Sequence, residues 1–384
     1  MRQTVLTADA LYDGSRTIPR PAVVLEDGRI ASVSSRDEAE LPRHAEICDF
    51  PGAMLAPAFL DVHIHGAAGH DVMDAAPEFP ATMGRFLASR GTGAYLATTV
   101  TAPLDRTLKA VSALAKVIAE GPVAGQARPV GIHLEGPFLS HAKCGVQPPE
   151  HLLEPDIATF DRLFEAAEGR VRLITLAPEL PCAAELTAHA RARGVRVSLG
   201  HSDATAAETR KAIAAGATSA THTFNAMRPL DHREPGILGV ALTEDALYAE
   251  LICDGIHTAP EMVRLWWRAK GAERAILVTD GISATGMPDG EYVLGGFLVQ
   301  VSNGRATARG VLAGSVLTLD RALLNFLRYT GAGVEQGLRL LTANPAAMLG
   351  IGEAAFAVGR PASLVAVGAD GSLMGSVVNG QRVF

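Results

Sequence analysis

Cysteine is scarce and scattered. Cys48, Cys144, Cys182 and Cys253 are the only four, and no two form a C-x-x-C pair, so neither a zinc-finger framework nor a disulfide scaffold is available. Apolar runs near the ~20 residues that span a bilayer are missing. The opening "MRQTVLTADALYDG" has no apolar stretch of signal-peptide length. Basic residues do not dominate either: 34 Lys and Arg stand against 41 Asp and Glu, a formal net charge of −7. That excludes a general attraction to nucleic acid or anionic membrane, though not one arginine reading one phosphate. These absences leave a soluble, cytoplasmic protein as the expectation.

Several catalytic signatures are absent as well. There is no G-x-x-x-x-G-K-[ST] phosphate loop, no H-E-x-x-H helix pair and no G-x-S-x-G elbow. The Gly-rich runs "GAAG" and "LGG" lack Rossmann spacing after a strand. What the chain does have is length and apolar content: 384 residues, 48% of them hydrophobic and 20% charged. This suits one large domain with a smaller one attached.

Both ends are rich in strand and turn signals. "AVVLEDGRIASVS" reads as a hairpin turning at Asp27-Gly28, and the C-terminal stretch is punctuated by Asp370-Gly371 and Asn379-Gly380. The pattern predicts a small β-sandwich domain from residues 1–54 plus 350–384, beside a barrel of residues 55–349. In the middle, strand candidates at Phe59–Ile64, 94–100, 130–134, Val171–Leu176, 195–199, 218–221, 248–253 and 276–279 alternate with Ala-rich helical segments. Eight such units fit a (β/α)8 barrel, with a doubly wound open sheet as the competitor. The barrel is favoured because these runs end in His63/His65, Glu135, His201, His222, Asp254 and Asp280, which only a barrel gathers at one mouth. A Gly-rich segment over 287–309 reads as a hairpin excursion after the last strand.

His63 and His65, at i and i+2 of a strand, face the same side. They are either two metal ligands or two ordinary strand histidines. Glu135 in "GIHLEGPF" is placed to bind a metal or to be solvated; His133, deeper on the same face, is left outside the ligand set. His201 and His222 each end an apolar strand. Asp280 ends "AILVTDG", where a buried carboxylate suits proton transfer. His257 and Arg233 are open between substrate contact and ordinary loop residues. Thr205 reads as the N-cap of the helix after His201.

Taken in order, "PAFLDVHIHG", "GIHLEGPF", "LGHSDAT", "THTFNAM", "REPG", "DGIHTAP" and "VTDGISATGMPDG" resemble the metal-dependent amidohydrolase superfamily. Within it they resemble the N-acetylglucosamine-6-phosphate deacetylases, over nearly the whole chain. The resemblance implies a TIM-like barrel that removes the acetyl group of N-acetylglucosamine 6-phosphate with one or two divalent metals, zinc first and iron, manganese or cobalt as alternatives. It further implies Glu135, His201 and His222 as ligands of the main metal, and His63 and His65 as the pair for a second. Asp280 matches the catalytic acid/base. His257, Asn225 and Ala226 match substrate contacts, and Arg233 matches a phosphate-binding arginine that reaches the neighbouring subunit of a homodimer. One position departs: where family members commonly carry a histidine near the scissile amide, this chain has Gln147. That leaves N-acetylgalactosamine 6-phosphate or another N-acyl amino sugar as an alternative substrate. His141 is a weaker stand-in for the missing histidine. A cyclic-amide hydrolase is a further alternative, but no strand-end lysine suits one.

Overall fold

Eight short apolar runs become eight parallel strands. In the computed structural model these are β1 (Phe59–Ile64), β2 (Thr92–Thr99), β3 (Arg128–Glu135), β4 (Val171–Leu176), β5 (Arg196–Leu199), β6 (Ser219–Ala220), β7 (Tyr248–Ile252) and β8 (Ala275–Val278). The structure describes residues 2–38, 41–74, 76, 78–351 and 356–384. Residues 352–355, within the expected small β domain, lie outside the described residues. Each strand pairs with the next in chain order. All residues of β1 and β8 are buried, as expected of parallel strands covered on both faces.

The first and last strands meet. A parallel bridge joins Ile64 to Gly281. Across it the Asp280 N–H donates to the His63 carbonyl at 2.8 Å, and the His65 N–H to the Gly281 carbonyl at 2.7 Å. Below it the Thr279 hydroxyl donates to Asp61 Oδ2 at 2.6 Å. This seam is why a histidine pair near residue 64 and an acid at residue 280 share one place. The open-sheet alternative is thereby excluded.

Helices connect the strands and form the outer layer. The one over Ala206–Ala215 starts as expected at Thr205, whose hydroxyl accepts from the Glu208 N–H while Glu208 accepts from the Thr205 N–H, a capping box.

A second sheet draws on both ends of the chain. Its order is 381–382, Leu373–Val378, Leu364–Gly368, Glu46–Pro57, Gln3–Tyr12, Pro21–Glu26 and Arg29–Ser35. The hairpin between the last two turns at Asp27 and Gly28, with φ of +47° and +78°, the left-handed pair a tight two-residue turn needs. The excursion after β8 is larger than a hairpin: Gly290–Leu294, Phe297–Ser302, Arg305–Ala308 and Val311–Leu312 form a four-stranded antiparallel sheet. It carries Leu294, Val311 and Leu312 to the wall of the cavity described next.

Candidate active site

The C-terminal ends of the barrel strands enclose a cavity of about 200 Å³. Six of the singled-out side chains converge on it or beneath it, and all are buried: His63, His65, Glu135, His201, His222 and Asp280. The chain leaves its strands at His201, His222 and Asp280 with φ of +47°, +28° and +51°. Such backbone is costly for residues with a Cβ and concentrates at functional sites.

Glu135 is the hub. Its Oε1 lies 3.3 Å from His63 Nε2, 3.2 Å from His201 Nε2 and 3.1 Å from His222 Nε2, and its Oε2 lies 3.3 Å from His65 Nε2. Asp280 Oδ1 stands 3.1 Å from His65 Nε2 and 3.5 Å from His63 Nε2. Two groups of three result, Glu135/His201/His222 and His63/His65/Asp280, each with ligand atoms within 4.8 Å of one another.

Three of the four rings are held from their far side, while His222 Nδ1 is buried without a hydrogen-bond partner. His65 Nδ1 donates to the Thr98 carbonyl at 3.0 Å and His201 Nδ1 to the Lys143 carbonyl at 3.1 Å. His63 Nδ1 faces Glu250 Oε2 at 3.4 Å. These partners select the tautomer whose Nε2 carries a lone pair, and those lone pairs point at the two carboxylates. Oriented imidazoles held from behind by carbonyl or carboxylate oxygens are a metal-binding arrangement, and mixed N/O donors suit divalent transition metals. The residues therefore fit such an ion.

The electrostatics agree. Burial opposes charge on His65, but hydrogen bonds and charge from Asp280 and Glu135 prevail and push its pKa up to about 9. Burial is likewise outweighed at His63, which the charges of Glu135 and Asp280 raise well above its ordinary value. In return, and again against burial, the histidines hold Asp280 below, and Glu135 well below, the usual carboxylate range. Two buried carboxylates need positive charge beside them, from protons on imidazole or from a cation.

A pH prediction follows for chelator-stripped protein. A histidine whose folded pKa is raised contributes stability that is complete below its unfolded value of about 6.5 and disappears as pH climbs through the folded one. The melting temperature of stripped protein is therefore expected to fall between pH 6.5 and about 9, the His65 value. Metal-loaded protein, whose imidazoles hold no such protons, should lack this slope. Identical slopes in both forms would contradict the arrangement.

Other singled-out residues sort clearly. His257, Asn225, Ala226 and Gln147 line the same cavity. His257 Nδ1 is 2.7 Å from Asp254 Oδ2, which also accepts from the backbone N–H of residue 257 through Oδ1. His133 lies deeper, between the Thr175 and Thr98 hydroxyls at 2.8 and 3.3 Å; burial, aided by the charge on His63, lowers its pKa well below its ordinary value. Arg233 and His141 are exposed and outside the cavity wall.

Gln147 is the surprise. Its Nε2 donates to Glu135 Oε2 at 2.7 Å, and its Oε1 accepts from the Thr101 N–H at 2.8 Å. The amide is engaged at both ends with the protein, while the residue lines the cavity. Glu250, Thr98 and Asp61 were not singled out in the sequence. Their partners lie on strands distant in the chain, and only register reveals them.

A parallel barrel whose mouth gathers four imidazoles and two carboxylates is that of a barrel hydrolase built for a divalent metal. The amidohydrolase family model matches residues 54–383. The chain is 38% identical over 328 residues to the N-acetylglucosamine-6-phosphate deacetylase of Lysinibacillus sphaericus, covering 85% of this chain and 84% of that one. It is also 38% identical over 346 residues to the N-acetylgalactosamine-6-phosphate deacetylase of Escherichia coli O157:H7, covering 89% of each. Among solved structures, that of the N-acetyl-D-glucosamine-6-phosphate deacetylase of Mycobacterium smegmatis, a variant in complex with N-acetyl-D-glucosamine 6-phosphate, superposes with a TM-score of 0.91 at 35% identity over the whole of both chains. The chain belongs to the amidohydrolase family and, within it, to the amino-sugar-6-phosphate deacetylases. Among the described residues, no helix is long and apolar enough to cross a membrane.

Proposed function

We propose that this chain hydrolyses the acetamide of N-acetylglucosamine 6-phosphate to acetate and glucosamine 6-phosphate. The observation that carries the reading is the meeting of Glu135, His201 and His222 with His63, His65 and Asp280 at one barrel mouth, in a chain of this family. Glu135, His201 and His222 would hold the main metal, and His63 and His65, beside Asp280, a second. Zinc is the first choice, with iron, manganese or cobalt accepted by the same donors. Such an ion, when bound, supplies Lewis acidity toward the acyl oxygen and makes water acidic enough to attack near neutral pH.

The remaining work belongs to the protein. Asp280 accepts the proton of the attacking water and delivers it to the departing amine nitrogen. His257 is fixed by Asp254 so that its Nε2 is left for a substrate oxygen. Asn225 and Ala226 contact the sugar phosphate. Arg233, exposed and away from its own cavity, would reach the phosphate in a partner's site, making the enzyme a homodimer, and the setting cytoplasmic. The barrel unit of residues 55–349 and a smaller unit of 1–54 plus 350–384 are the domains of this reading.

Gln147 is given a part here that its position suggests: it fixes the Glu135 carboxylate. Removing such a supporting partner typically costs about 10–100-fold in metal affinity or activity. Gln147→Leu should show that loss in metal titration, with the fold retained; unchanged metal affinity would leave Gln147 as a mere wall residue.

The test of the function is acetate release from N-acetylglucosamine 6-phosphate by protein of measured metal content. The galacto epimer is the second reading, favoured by the 38% identity to the Escherichia coli enzyme. Parallel assays on both sugar phosphates decide between them, and no acetate from either removes the reading.

A further inference from the structure

At the opposite end of the barrel, below the N-terminal ends of β1 to β4, lies a second and larger cavity of about 420 Å³. Strands of six to eight residues at ~3.3 Å each put it roughly 20 Å or more from the catalytic mouth. Its wall is mixed. Leu60, Ile118 and Ile351 give it apolar sides, while Arg128, Arg170 and Arg172 bring three guanidinium groups to it from the starts of β3 and β4.

Arg170 is half-buried and Arg172 exposed at the rim. Arg170 and Arg172 stand at i and i+2, and neither side chain has a carboxylate, carbonyl or aromatic partner among the described residues. Arg170 Nε is shut off from solvent and also lacks an acceptor. Asp13, the one acid in the wall among the described residues, is already satisfied: it accepts from the Ser15 N–H at 2.8 Å, the Arg16 N–H at 2.9 Å and Arg16 Nε at 3.2 Å. Room for the Arg172 stem comes from Gly131 on the next strand, where a Cβ would stand 2.3 Å from Arg172 Cγ. Any other residue there would displace that side chain. In a chain of net charge −7, Arg170 and Arg172 bring donors with the planar fork that matches phosphate oxygens. A concave, mostly apolar pocket with a few convergent polar groups is the usual form of a small-molecule site.

We propose that this cavity is a second ligand site, taking a phosphate monoester whose ring or apolar body lies against Leu60 and Ile118 and whose phosphate meets Arg170 and Arg172. It shares no residue with the catalytic cavity, so it stands whether or not the proposed reaction is right.

Calorimetric titration of the protein with phenyl phosphate tests it, run with the catalytic cavity left open because any sugar phosphate used to fill that cavity would compete for the second site as well. Wild type should show one phenyl phosphate site per chain beyond any taken by the catalytic cavity. The R170Q/R172Q pair should weaken it at least about tenfold, since charged hydrogen bonds are lost, with KM for the acetylated sugar phosphate unchanged. R170K/R172K should fall between, keeping charge but losing the fork. If the Gln pair does not fold, the Lys pair and a crystal soaked in tungstate decide, with density beside Arg170 expected. Equal binding by wild type and variants, or no tungstate beside Arg170, overturns the proposal.

Discussion

Asp280→Asn is expected to lower kcat about a thousandfold while leaving fold, metal content and substrate affinity nearly intact. The size follows from the role proposed for the carboxylate. General acid–base transfer typically contributes 10²–10⁴, and here one group serves both the attack and the departure of the amine. The asparagine keeps the shape of the side chain and can still hydrogen-bond to His65 Nε2, 3.1 Å from Oδ1 in the native protein. The backbone position is also unchanged, because the Asp280 N–H remains bonded to the His63 carbonyl across the closing seam. What is removed is the ability to take a proton, for which the native carboxyl is well suited. Burial pushes its pKa up, but positive charge beside it prevails, from His63 and His65 in stripped protein and from a cation when the site holds one. Turnover should be followed together with metal content and product binding. A variant within tenfold of wild type, or one whose lost rate merely tracks lost metal, would remove Asp280 from the proton-transfer role.

How this site could be read from the sequence is instructive residue by residue. The barrel strands were legible because each is a short apolar run closed by a polar residue, and parallel strands buried on both faces write that pattern plainly. Phe59–Ile64 and Val171–Leu176 match at both ends. The i, i+2 spacing of His63 and His65 placed them on one side for the same reason. The cross-strand partners were not legible. Glu250 is one acid within "YAELIC", and nothing nearby in the chain says that it will face His63, 187 positions away. The bond from Gln147 to Glu135 depends on how the loop after β3 folds back, since the Thr101 N–H that orients the amide comes from another loop. Local pattern therefore gave the ligand-bearing ends, while the supports depended on register between distant segments.

Those supports set the second large effect, that of Glu135→Gln. Glu135 is the one group within 3.3 Å of all four imidazole Nε2 atoms, and it also accepts from Gln147 Nε2 at 2.7 Å. Glutamine has one oxygen where the carboxylate has two, so each orientation fails somewhere. With its oxygen toward the histidines, its amide meets the Gln147 amide donor to donor. Turned over, it offers N–H groups to the Nε2 cluster and no acceptor for a cation. Breaking a buried charge pair by removing one partner costs about 3–5 kcal/mol, equivalent to roughly two to three and a half decades in metal affinity. The variant should therefore purify with little metal and show a rate near background, recovering in part at high metal concentration. It should also lose part of the pH 6.5–9 stability slope expected of stripped wild type, because Glu135 is one of the carboxylates that raise His63 and His65, with Asp280 acting on both and Glu250 on His63. Asp280 remains to support the rest. Metal content and rate equal to wild type would show that Glu135 is no ligand, and the metal site would then have to be rebuilt around His63, His65 and Asp280 alone.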